Sequence, residues 1–174
     1  LQASGKSIRE LEAEAEAAAS AAARATALDE LSAAVAAGLP FATQLQALAD
    51  PALTETLGPI AETGAPTLAD LNDAFPDAAR ESLRVARDLS VEERWGDRFV
   101  DFLASQTAAR SLTPLEGDTP DAILSRVEFA LSEGRVGDAL KELDPIDPAV
   151  KAPLEPWIAL AQAHLAANAT LQTA

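Results

Sequence analysis

From Ser7 to Ala37 the sequence is one Ala/Glu-rich stretch in which Ile8, Leu11, Ala15, Ala18, Ala22 and Ala25 fall at alternating steps of three and four. That spacing lays side chains along one stripe of a helix, the pattern of a coiled-coil seam. A strand cannot use it, because strand side chains share a face only at every second residue. The start of the chain is therefore committed to one long helix. The seam is thin, since alanine contributes less burial than Leu or Ile, and residues 7 to 37 alone are expected to pair only marginally. Either the globular part assists self-association or the arm folds back onto it. Ile8, Leu11, Ala15, Ala18 and Ala22 are the candidate oligomerisation residues, and the expected assembly is a homo-oligomer of open order.

After Ala25 the spacing resets. Leu28, Leu31 and Val35 begin a heavier apolar stripe that ends at Gly38, with Pro40 just beyond, a pair of helix-stop signals. The pattern predicts a coiled-coil-like arm over 1–27 that runs straight into a globular part. Helix formers dominate the remainder while Val and Ile are sparse, so the fold class expected is all-α: a long N-terminal helix leading into irregular helical hairpins.

Glycine punctuates those hairpins. Gly38 separates the first helix from one carrying Phe41, Leu45 and Leu48 on a single face. Gly64 ends a helix, and Thr67 is placed to cap the next, which buries Leu68, Leu71 and Phe75; Gly134 does the same before Val136, Leu140 and Leu143. The spacings share no fixed signature, which argues against a tetratricopeptide array. Pro76 and Ser90 are read as the starts of two further helices, and 111–121 as the longest loop. Thr119 followed by Pro120 is a helix start, and the last helices are expected over about 120–133, 136–143 and from Ala149 or Pro153 to Ala167. Trp157, Leu160, Ala161 and His164 are expected to share a face of the last one. The resulting division is an arm over 1–27, helical hairpins over 28–110 that include an amphipathic helix at about 90–110, and a terminal helical segment over 119–172.

Chemistry finds little purchase. The single histidine, His164, lies beside Leu160 and Leu165 in a helical pattern and reads as a packing or surface residue. The acidic loops with Asp118, Asp121, Asp144 and Asp147 lack the order of a calcium loop and read as caps and turns. No dinucleotide fingerprint, P-loop or nucleophile elbow occurs, so the chain is not expected to be an enzyme and no cofactor or metal is implied. There is no cysteine, which excludes disulfides and zinc–thiolate sites. A net charge of −15 argues against nucleic acid, whose phosphates need a basic field. No apolar run is long enough to span a bilayer, and the absence of any methionine leads us to expect a piece of a longer protein.

One segment departs from this acidic background. Over 80–110, Arg80, Arg84, Arg87, Arg94, Arg98 and Arg110 are balanced by Glu81, Asp88, Glu92, Glu93, Asp97 and Asp101, so the field is weakest there. Within it, "ERWGDRFVDFLASQTAAR" (93–110) places Trp95, Phe99, Phe102 and Leu103 on one stripe with Arg94 and Arg98 at its flanks. Such a stripe serves a lipid interface, where arginines snorkel to headgroups, but equally a partner or a protein core. All three readings stay open on residues alone.

The Ala/Glu coiled coil entering "ALDELSAAVAAGLPFATQLQAL", the Trp95 helix, "EGDTPDAILSRVEFALSEGRVGDALKELD" and "PWIALAQAHLAANATLQT" together resemble the C-terminal region of alphaproteobacterial mitofilins, from the end of the coiled coil through the mitofilin domain. The resemblance covers nearly the whole chain, is most distinctive over 116–172, and rests on helices and turns, with no catalytic motif. It implies a non-enzymatic protein of the bacterial inner membrane, facing the periplasm, that self-associates and shapes or tethers membrane. It also implies that Arg94, Trp95, Arg98, Phe99 and Phe102 contact membrane lipid and that 119–167 matches the mitofilin core. The membrane span of that family is absent from this sequence, and acids cancel the segment's arginines. Two rival readings remain: a soluble helical-hairpin adaptor for an unknown protein partner, with Phe41, Phe75 and Phe129 at hairpin contacts, and a tetrapyrrole-pathway accessory domain, for which His164 would be the axial ligand.

Overall fold

The computed structural model describes residues 2–93 and 117–174, with side chains over 7–90 and 117–174. The described residues are helical, with no strand among them. Their contacts group them into two units, one of residues 1–67 with 166–174 and one of 68–165.

The first unit is built on α1 (Gln2–Ala36), a helix with no break at Ala27. Residues 7–26 of α1 are exposed throughout, and burial begins only at the half-buried Ala27 and Leu28. Beyond them Leu31, Ala34 and Val35 enter a core with Phe41, Leu45 and Leu48 of the next turn and helix, α2 (Ala42–Leu48), and with Leu53 and Leu57 of α3 (Pro51–Leu57). Ala167, buried in this core, and the half-buried Leu171 come from the end of the chain.

Local chemistry sets the ends of these helices. Gly38 takes φ 67°, the left-handed conformation that stops α1. Gly64, at φ 89°, lies so close to Gly38 that a Cβ on it would stand 2.2 Å from the Gly38 carbonyl oxygen. Only glycine fits there. The same junction is pinned by the Phe41 N–H, which donates to the Ala61 carbonyl at 2.8 Å. At α3, Asp50 is the N-cap: its Oδ1 accepts from the Ala52 N–H at 3.0 Å, and Pro51 sits where a missing N–H costs nothing.

The second unit packs α4 (Leu68–Glu93) against α5 (Pro120–Ser132), α7 (Pro148–Lys151) and a 3₁₀ turn at Ala152–Leu154; α6 (Val136–Glu142) packs on α5, and the first part of α8 (Glu155–Thr173) reaches α4 through Trp157. Its core is centred on Trp157, Leu71, Ile123, Val127, Leu131, Leu143 and Leu154. Trp157 meets Phe75 edge to face at 5.1 Å between ring centres, and its indole N–H donates to the Leu71 carbonyl at 3.0 Å. That bond lets the large ring be buried without stranding a donor. Ser82, fully buried, donates to the Val150 carbonyl at 2.6 Å and ties α4 to α7. Thr119 caps α5 by accepting from the Ala122 N–H, Gly134 turns the chain at φ 72°, and the Asp147 side chain caps α7.

Two expectations about helix ends and faces need correction. Pro76 and Ser90 do not start helices: both lie inside α4, which runs unbroken across them. An internal proline costs about 3 kcal/mol. Leu71 and Phe75 are buried just before Pro76, each burial stabilising by roughly 1.5–3 kcal/mol, and Ser82 is buried beyond it with its bond to Val150. The helix therefore continues, because breaking it would separate anchors of the core that lie on both sides of Pro76. In α8, Trp157 and Ala161 are buried but Leu160 is 39% exposed, and the inner face runs instead through Trp157, Ile158 and Ala161.

Candidate functional site

The residues with the clearest functional arrangement lie along α1. At about 100° per residue, Ile8, Leu11, Ala15, Ala18, Ala22 and Ala25 fall on one side of the helix. Leu28, Leu31, Ala34 and Val35 fall on roughly the opposite side. The reset of the spacing after Ala25 is therefore a change of face rather than a change of structure. One helix presents one face to its own core and leaves the other uncovered, with Ile8 54% and Leu11 65% exposed.

The base of the exposed stretch is held by its other face. Ser20, Ala23, Arg24 and Ala27 line a shallow cleft of about 370 Å³ with Ala47 and Leu48. Arg24 crosses to α3, where its guanidinium donates to the Asp50 Oδ2 at 2.8 Å. The hydrogen bond from Arg24, with the Leu53 and Ala52 N–H groups behind it, holds the Asp50 carboxyl below its ordinary range. One carboxylate thus caps α3 and anchors α1, and neither role uses a seam residue. All five residues proposed for oligomerisation, Ile8, Leu11, Ala15, Ala18 and Ala22, remain exposed along the arm.

Charge is distributed unevenly along this arm. Glu10, Glu12, Glu14 and Glu16 crowd one half, while 17–23 is alanine apart from Ser20 and carries no charge. With Ile8 placed at heptad position a, Glu12 and Glu14 take the positions that flank the seam.

The remaining candidates divide. Arg94, Trp95, Arg98, Phe99 and Phe102 lie outside the described residues. Of the aromatic residues considered for an adaptor surface, Phe41 and Phe75 are core residues; Phe129 is 36% exposed, with the Arg135 guanidinium 5.9 Å from its ring centre. His164 is half-buried on α8. No group of acidic or histidine side chains among the described residues has the geometry of a metal site. Asp138 is drawn below its ordinary range by Lys141 and Arg135, and Glu81 by Arg84, each in an exposed ion pair that serves helix solvation. No described helix is long and apolar enough to cross a membrane.

What the sequence left unseen are the supports of these surfaces. The Arg24–Asp50 pair spans 26 residues and the Ser82–Val150 bond 68, and neither has a local signature. Only the position of Asp50 before Pro51 could have been found, as a helix cap.

No protein-family model matches this chain. Neither a curated protein nor a solved structure matches it.

Proposed function

We propose that this chain is a non-enzymatic, self-associating part of a membrane-organising protein, of the mitofilin kind that its sequence resembles. The observation that carries the reading is the uncovered seam of α1, set on the face opposite to the one that packs. A helix exposing Ile8 and Leu11 in heptad register, while its own core draws on other residues, has the arrangement of a coiled-coil strand awaiting a second strand. Self-association would bring several weak lipid contacts together on one assembly, so that effective concentration multiplies their strength.

In this reading the lipid contacts come from Arg94, Trp95, Arg98, Phe99 and Phe102, and the assembly works at the periplasmic face of the bacterial inner membrane. Support for the membrane role comes from the sequence, from the amphipathic stripe at 93–110 and the near-neutral charge of 80–110 in an otherwise acidic chain. Co-sedimentation with vesicles containing anionic lipid tests it. The full chain should pellet with vesicles, and Trp95→Ala with Phe99→Ala should reduce the bound fraction while leaving the helical signal and melting temperature in place. Loss of cooperative unfolding in that double variant would instead make the stripe a core element and remove the lipid role from this helix.

A further inference from the structure

The uncovered face of α1 also carries information about the direction of its partner. We infer that the arm pairs with a second copy of itself in antiparallel orientation, in the register that sets Ile8 against Ala25, Leu11 against Ala22 and Ala15 against Ala18 of the other chain. This rests on the proposal that the arm self-associates, and it adds a direction and a register.

Three observations select that arrangement. The first is side-chain size. A parallel, in-register pair stacks Ile8 on Ile8 and Leu11 on Leu11 at one end, followed only by alanine layers, so the helix axes would be forced apart at one end and drawn together at the other. The antiparallel register places each large residue opposite an alanine and distributes the bulk to both ends. Each of its layers joins an a position to a d position, the pairing that two antiparallel heptad seams produce.

The second is charge. The register lays 10–16, with its four glutamates, along 17–23 of the other chain, which has no charged residue. Glu12 then lies beside Ala19 and Glu14 beside Ala21. In the parallel pair the two acidic stretches run level along the whole of their length, where like charges repel.

The third is where the seam stops. Ala25 is its last apolar position; the residue that would follow on that face is Asp29, and Ala27 and Leu28 already turn to the core of their own chain. The layer of Ile8 on Ala25 therefore closes each end of the pairing at the point where the globular part begins.

Because the chain has no cysteine, engineered ones report alone. Full-length Leu11→Cys and Ala22→Cys proteins, mixed and mildly oxidised, are expected to give the mixed disulfide, with little Leu11→Cys self-cross-link, since those two sites lie about 16 Å apart along the axis at 1.5 Å per residue. Nitroxides at Arg9→Cys, on the outer surface of the arm, provide a second readout that leaves the seam intact. The antiparallel register offsets them by about 22 Å along the axis, against none in the parallel pair. A dominant Leu11→Cys homodimer disulfide, with a short nitroxide distance, would overturn the orientation and leave self-association standing. A chain that sediments as a monomer over the whole concentration range would overturn both, as would an arm that stays monomeric and binds vesicles through Ile8 and Leu11. A dimer that yields neither disulfide would show that the copies meet elsewhere and would overturn the register.

Discussion

Residues 7–26 and 27–36 belong to the same helix, but they are stabilised in different ways. The second stretch is held by burial: Leu31 is fully inaccessible and Val35 nearly so, against Phe41, Leu45 and Leu57. The first has no such support among the described residues. Its stability as a helix comes from alanine's high helix propensity and from continuity with a segment that is already nucleated, which removes the cost of starting a helix anew. Apolar residues therefore mean different things at the two ends of one element: Leu31 is part of folding, whereas Leu11 is exposed and, in the function proposed above, is part of association.

The largest test of that contrast is in the core half. Leu31→Ala should cost about 2–5 kcal/mol, the range for emptying a packed leucine site, seen as a lowered midpoint in urea or thermal unfolding. Leu11→Ala in the same assay, at a concentration where the chain is monomeric, should change stability by no more than about 0.5 kcal/mol. Equal losses in the two variants would erase the distinction.

Gly64→Ala should follow, with a cost on the order of 1–3 kcal/mol, because the new Cβ must displace the Gly38 carbonyl and adopt a left-handed conformation. That turn positions α2 and α3 under the core half of α1, so the loss should appear in unfolding and leave the exposed arm helical.

A smaller effect is expected with acid. Folding depresses the Asp50 carboxyl, so its contribution is present above the ordinary carboxylate range and is lost as pH falls through the lowered folded value. Asp50→Asn retains a capping oxygen but removes the charge that Arg24 pairs with; it should leave α3 formed and flatten the acid limb of the stability profile. An unchanged acid limb in that variant would mean that Arg24 and Asp50 do not couple α1 to α3 in solution.

The sequence made much of this fold readable where local chemistry decides. Gly38, Gly64 and Gly134 all take the left-handed backbone expected of helix stops, and Thr119 caps α5 as its position before Pro120 implied. The all-α class followed from composition, and the seam followed from spacing. What failed was local inference applied where tertiary contacts prevail. Pro76 signalled a helix start, but Leu71, Phe75 and Ser82 are all buried on α4 and keep it whole. Leu160 was grouped with Trp157 because both are apolar at a helical spacing, yet a core with room for Ile158 and Ala161 turns Leu160 outward. The Arg24–Asp50 contact at the arm's base depends on residues too far apart for any periodic signal to link them.

The central claim is that α1 folds with one face and associates with the other. Sedimentation equilibrium of the full chain beside the Ile8→Asp/Leu11→Asp variant, with circular dichroism and thermal melting of both, tests it most directly. The parent chain should form a concentration-dependent dimer and the variant should stay monomeric, with closely similar melting temperatures for both under monomeric conditions. A parent chain that stays monomeric, a variant that dimerises as strongly as its parent, or a variant that loses the folding transition would contradict it.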